Sequence, residues 1–192
     1  MEAATTDPTP RRWIGVLKGR WPTAVAIGLT FLSLSSGSGL SEEVENLAQA
    51  LPALPLLYLV VAKLRRPELS WPLLGVGMVI IVGARLLDLI APSTVLLALA
   101  LLVLVWGAID GHLRQPGEFR LQAIGMIGFG ALALAGLVVE PEAGRYVVAA
   151  GWLLHGVWDF VHLRRGTVVA RSYAEWCGVL DVLIGLELIF LV

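Results

Sequence analysis

Residues 93–109 read STVLLALALLVLVWGAI, seventeen consecutive positions without a charge. A strand of a membrane barrel alternates apolar and polar side chains, because one face meets lipid and the other the lumen. This stretch is apolar on every face and nearly long enough to cross a bilayer, so it predicts a membrane-spanning helix. Six further segments of the same kind lie at 21–40, 47–64, 71–90, 121–139, 145–163 and 176–192. The fold class read from them is all-α: a polytopic membrane bundle of seven transmembrane helices. A tail over 1–20 precedes a single helical domain over 21–192.

Composition supports the same class. Of the 192 residues, 57% are hydrophobic and 15% charged, against about 25% charged in ordinary soluble domains. Mean hydropathy is +0.81. These values exclude a soluble enzyme and a disordered chain. A net charge of −1 leaves no basic field for nucleic acid. The single cysteine, Cys177, excludes an internal disulfide.

Basic residues set the orientation. Twelve of the fourteen Lys and Arg fall in the tail and in the second, fourth and sixth loops. The opposite side keeps Arg145, and Arg85 lies within a span. The expectation is a cytoplasmic N-terminus, in a bacterial cytoplasmic (inner) membrane. The run Ser35-Ser36-Gly37-Ser38-Gly39, after a basic start and a short apolar core, also fits a cleavable signal peptide. In that case six helices remain with the same orientation. Trp13, Trp21, Trp71, Trp176 and Tyr146 stand at span ends, where aromatic side chains anchor at the interface.

Three of the basic loops look alike. Leu64-Arg65-Arg66-Pro67, Leu113-Arg114-Gln115-Pro116 and Leu163-Arg164-Arg165-Gly166 recur at intervals of about fifty residues, which suggests a leading helix and three hairpin repeats. The charge rule alone also places Leu-Arg at loop starts.

Ionisable residues inside spans are costly and mark function by default. On the outer side stand Arg85, Asp88 and Glu187, with Glu42, Glu43 and Glu45 just outside the second span. Arg85 and Asp88 can pair at i, i+3, and Glu187 is expected to take Arg85 as a tertiary partner. On the inner side, span six reads Trp152-Leu-Leu-His155-Gly-Val-Trp158-Asp159-Phe-Val-His162. Trp152, His155, Asp159 and His162 share one helical face. Asp181 and Cys177 lie one turn apart on span seven. A short loop joins the two spans, so His155, Asp159 and Asp181 are expected to converge, and Asp110 and His112 close span four on that side.

Three readings compete for the inner layer. Asp159 and His155 can simply satisfy each other, with His162 at the headgroups beside Arg164. The histidines, Asp159 and Asp181 can complete a metal shell. Yet three histidines in the whole chain are few for a histidine-rich di-iron site, and neither CxxC nor HExxH occurs, so no metal and no cofactor are expected. The third reading is acid–base chemistry by a desolvated carboxyl, with Trp152, Trp158 and Trp106 as pocket walls.

The stretches His155-Gly-Val-Trp158-Asp159-Phe-Val-His162 and Ser172-Tyr-Ala-Glu175-Trp176-Cys177, with Asp181, resemble a group of small multi-pass membrane proteins from high-GC bacteria. The likeness covers the last 45 residues best, and it implies a bacterial membrane protein without implying any chemistry. The layout is also similar to membrane terpenoid cyclases in architecture. Their second-span Trp-Glu pair is absent here, where Ser41-Glu42-Glu43-Val44-Glu45-Asn46 stands nearby.

The functional expectation is binding or acid-catalysed transformation of a lipid-soluble, isoprenoid-like molecule in an apolar central pocket. Asp159 would be the acid, His155 its orienter, with Asp181 beside them. Trp152, Trp158, Trp106, Arg85 and Glu187 would be ligand-binding. The partners expected are the lipid bilayer and an apolar small molecule, without nucleic acid. The rivals are a proton-coupled transporter or channel using both layers, with Ser33 bridging part of the gap, and a non-catalytic assembly partner.

Overall fold

A computed structural model describes residues 19–34 and 39–190. The tail with Trp13, and residues 35–38 of the Ser-Gly run, lie outside the described residues, as does the side chain of Ser33. The described residues form helices and short connections, with no strand among them. The helices are α1 (Trp21–Leu34), α2 (Leu40–Ala50), α3 (Ala53–Leu64), α4 (Ser70–Leu87), α5 (Pro92–Ile109), α6 (Glu118–Val138), α7 (Pro141–Arg165) and α8 (Arg171–Phe190). Four stretches are long and apolar enough to cross a membrane: Leu40–Leu64, Pro67–Leu87, Pro92–Ile109 and Glu118–Val138.

The boundaries depart from the apolar runs where polar residues continue a helix. The second span begins at Leu40 and not at 47, because Glu42 and Glu43 suit the positive end of a helix. Ser41 is therefore inside the first turn, and Gly39 stands at the N-cap position. The last two helices start at Pro141 and Arg171, several residues ahead of their apolar segments. Pro92 and Pro141 occupy first-turn positions, where a missing N–H costs nothing. Pro52 and Pro55 break the second span into α2 and α3. Without their N–H groups two rungs are lost, and Leu54 N–H reaches back only to Leu51 at 3.3 Å.

The chain runs up and down. The turns at Arg65–Pro67, His112–Glu118 and Gly166–Val168 line one cavity of about 470 Å³, so the three like loops meet at one end. Trp21, Trp71 and Trp176 open α1, α4 and α8 at that same end and stack in series, with ring centroids 5.3 and 5.5 Å apart. Trp176 is buried and Trp71 donates its Nε1–H to Ser172 Oγ at 3.0 Å. These two tryptophans bind helices to each other.

α2 and α3 run through the middle, against α6 and α7 on one side and α5 on the other, while α1 packs on α8 at the margin. α4 is the most peripheral span, presenting Val76, Val79, Val82 and Leu86 outward. The most extensive pairing is α7 with α8. It depends on small residues that let the backbones approach. A Cβ on Gly185 would lie 2.6 Å from Leu153 Cγ and 3.2 Å from the Ala149 carbonyl oxygen.

Gly185→Ala is therefore expected to cost about 1–3 kcal/mol and to lower the melting temperature of the detergent-solubilised protein by circular dichroism. Gly128→Ala, where a Cβ meets nothing within 4 Å, should leave it unchanged. Equal melting of the two variants would show that α7 and α8 are not in this close contact.

Candidate functional site

The conspicuous polar group of the bundle lies between α7 and α8. Positions 152, 155, 159 and 162 share a face at helical spacing, and all four side chains are buried. From α8, Tyr173, Cys177 and Asp181 face them, one turn apart and equally buried. Gly156 and Gly178 bring the two backbones together at this level. A Cβ at Gly156 would stand 3.2 Å from the Gly178 carbonyl oxygen and 3.3 Å from Asp181 Cβ.

His155, Asp159 and Asp181 are 0% exposed. His155 Nδ1 stands 2.8 Å from Asp181 Oδ2 and 3.3 Å from Asp159 Oδ2. Asp181, from the other helix, is the closer partner, whereas Asp159 was expected to be. Asp159 instead accepts a hydrogen bond on Oδ1 from the Tyr58 hydroxyl at 2.5 Å. Cys177 Sγ lies 3.6 Å from the Tyr173 hydroxyl and 3.8 and 3.9 Å from the two Asp181 oxygens. Two polar atoms here have no hydrogen-bond partner, His155 Nε2 and Asp159 Oδ2. The ligand atoms of His155, Asp159, Cys177 and Asp181 lie within 4.8 Å of one another.

A second polar set closes on itself one turn further along α7. His162 Nδ1 is 2.8 Å from the Trp158 carbonyl oxygen, which can only accept, so Nδ1 carries the proton. Nε2 then accepts from Gln122 Nε2 at 2.9 Å, and Gln122 Oε1 accepts from Trp158 Nε1–H at 3.2 Å. Every member of this ring is satisfied. His162 is therefore a buried structural histidine and does not face headgroups beside Arg164.

Several expected neighbours fall elsewhere. Trp106 lies at the end of α5, 48% exposed, with Lys63 Nζ 4.6 Å from its ring centre, so it is not a wall of the His155 site. Trp152 is buried and donates to the Leu47 carbonyl oxygen at 3.3 Å, which anchors α7 to α2. Arg85 does not pair with Glu187 or Asp88. Its guanidinium donates to the Asn46 carbonyl oxygen at 3.2 Å, which ties α4 to α2. Glu187 is buried on α8 near Glu43, with Oε2 unpartnered.

The open apolar space is lateral rather than central. A groove of about 560 Å³ runs between α6 and α7, lined by Ile124, Gly128, Phe129, Leu154, Val157 and Trp158 among others. Its only polar lining residues are His162 and, at the end nearest the basic loops, Arg165. Phe129 separates the groove from the buried cluster. Its ring centre is 5.0 Å from that of His155, edge on at 67°.

Tyr58, Tyr173 and Gln122 were not singled out from the sequence. Tyr58 and Gln122 are polar positions within apolar spans, which is the signal that marked Asp159. Lys63 was read as a loop charge. It ends α3 with its side chain buried, donating to Asp110 and standing 3.2 Å from His112 Nδ1. No protein-family model, curated protein or solved structure matches this chain.

The Lys63 bond holds the Asp110 carboxyl below the usual carboxylate range. A depressed carboxyl stabilises the fold at pH values above its unfolded value of about 3.9. That contribution disappears as pH falls through the lower folded value. Asp110→Asn should therefore melt below wild type at neutral pH, with the gap closing in acid. A gap independent of pH would mean that the bond does not form.

Proposed function

We propose that this chain is a seven-span protein of a bacterial cytoplasmic membrane with its N-terminus inside. It takes an apolar, isoprenoid-like molecule from the bilayer into the α6/α7 groove and acts on it by proton transfer from the cluster behind Phe129. The concentration of basic residues in one set of loops supports the orientation. The observation that carries the function is the shared wall: Phe129 lines the apolar groove and stacks edge-on against His155.

The geometry favours His155 over Asp159 as the proton-transferring group. Its Nδ1 is turned to Asp181 and Asp159, and its Nε2 is uncommitted. An imidazole oriented by a carboxylate at one nitrogen exchanges its proton at the other. Asp159 and Asp181 then position the ring and balance its charge, and Phe129, turned aside, admits the ligand to Nε2. Such a general acid contributes about 10²- to 10⁴-fold in rate. Arg165 at the groove's end favours a ligand with a polar or anionic head at the basic end of the bundle.

The transport reading finds less support. Its outer pair, Arg85 with Glu187, is not formed. The α8 face between Asp181 and Glu187 carries Ile184 and Gly185.

A dansylated farnesyl probe, read by energy transfer from tryptophan, tests the groove. Saturable binding to wild type should be lost in Gly128→Phe, which fills the groove from an open position, and kept in Gly83→Phe on the lipid-facing α4. Equal binding by both variants would remove the groove from the function.

A further inference from the structure

We propose that His155, Asp159, Cys177 and Asp181 form a binding site for one divalent transition-metal ion of the zinc type. The inference stands on the cluster alone and does not require the groove to take a ligand.

Charge is the first argument. Two carboxylates are fully buried between α7 and α8, and among the described residues no lysine or arginine pairs with either. One imidazole, in ion-pair range of both, can balance only one of the two charges, and burying the other unbalanced is costly. A divalent cation with a neutral imidazole balances both carboxylates, and the one charge that a Cys177 thiolate then adds is stabilised by the Tyr173 hydroxyl, 3.6 Å from Sγ. Two protons can also balance the carboxylates, so the ion and the protons compete for one site. Proton transfer at His155 then belongs to the metal-free form.

Geometry is the second. Tyr58 engages only Oδ1 of Asp159, which leaves Oδ2 fully buried without a hydrogen bond, in ion-pair range of His155 Nδ1. A hydroxyl that holds the second oxygen of a carboxylate is a common support for a metal ligand. A tetrahedral ion with bonds of about 2.0–2.3 Å keeps its ligand atoms roughly 3.3–3.8 Å apart. The separation of His155 Nδ1 from Asp159 Oδ2 is 3.3 Å, Cys177 Sγ is 3.9 Å from Asp181 Oδ2, and all four ligand atoms lie within 4.8 Å of one another, so the wider pairs close on the ion. The contact of His155 Nδ1 with Asp181 Oδ2, at 2.8 Å, opens by about half an ångström when the ion replaces the shared proton.

Chemistry selects the ion. One imidazole, one sulfur and two carboxylate oxygens suit zinc, cobalt or iron, whereas magnesium and calcium take all-oxygen shells. Sequence spacing does not announce the site, because two ligands come from each of two helices at i, i+4 and no CxxC or HExxH is needed. The Gly156–Gly178 contact is what brings the two pairs within range.

The test is a cobalt titration of the full chain, purified in detergent and stripped with a chelator. Wild type should bind one equivalent of Co²⁺, displaceable by Zn²⁺, with the visible bands of a tetrahedral site and a near-ultraviolet thiolate-to-cobalt band. That band reports Cys177 alone, since it is the chain's single cysteine. Cys177→Ser should abolish it and Asp159→Asn should weaken binding at least tenfold. Tyr58→Phe, which keeps the ring and all four ligands, should weaken binding about tenfold with helix content unchanged. If the aspartate variant fails to fold, the wild-type thiolate band and Tyr58→Phe decide. A folded wild type without the thiolate band overturns the site, as does undiminished binding in Cys177→Ser and Tyr58→Phe. Neither result bears on the farnesyl probe, which reads the groove.

Discussion

The arrangement depends on the close approach of α7 and α8 around a buried set of acids. Gly156, Gly178 and Gly185 remove the Cβ atoms that would hold the backbones apart. Asp159 and Asp181 can then share one imidazole. Neither part is stable without the other. Separated helices would leave each carboxylate alone in an apolar medium, and close helices without the imidazole would set two like charges against each other.

Much of the rest of the interior follows the rule that a buried polar atom finds a partner, although Trp176 Nε1, Thr167 Oγ1 and Glu187 Oε2 also lack a hydrogen bond. The Gln122, Trp158 and His162 ring satisfies all its members, and Lys63 ends α3 between Asp110, His112 and two aromatic rings. Against that background the unpartnered atoms at His155 and Asp159 stand out. They occur where the charges are most crowded and where an apolar groove comes within one phenyl ring. In the proposed reading His155 Nε2 serves proton exchange and Asp159 Oδ2 serves the ion.

In the proposed reading the α6/α7 groove gives that cluster a route to the bilayer. Its lining is glycine and large apolar side chains, and its one charge sits at the end nearest the basic loops. On that proposal a lipid-soluble molecule enters sideways, along the helices, and meets Phe129 and Trp158 before reaching His155. The placement of Trp106 on α5, beside Lys63, means that the aromatic wall comes from α6 and α7 only.

Composition and apolar runs were enough to read an all-helical bundle with membrane-spanning stretches, since hydrocarbon admits only backbones that satisfy themselves. Helical spacing was enough to put His155, Asp159 and His162 on one face, and a short loop to bring Asp181 near them. What remained was decided between helices. Arg85 turned to Asn46, His162 became a closed structural member, Trp106 left the site, and Tyr58 from α3 became the partner of Asp159. Local periodicity fixes which way a residue faces along its own helix. Which residue meets it from another helix depends on the packing of small residues and on the crossing of the spans. These contacts join positions far apart in the chain, 39 residues for Arg85 and Asn46 and 101 for Tyr58 and Asp159, so only the tertiary structure specifies them.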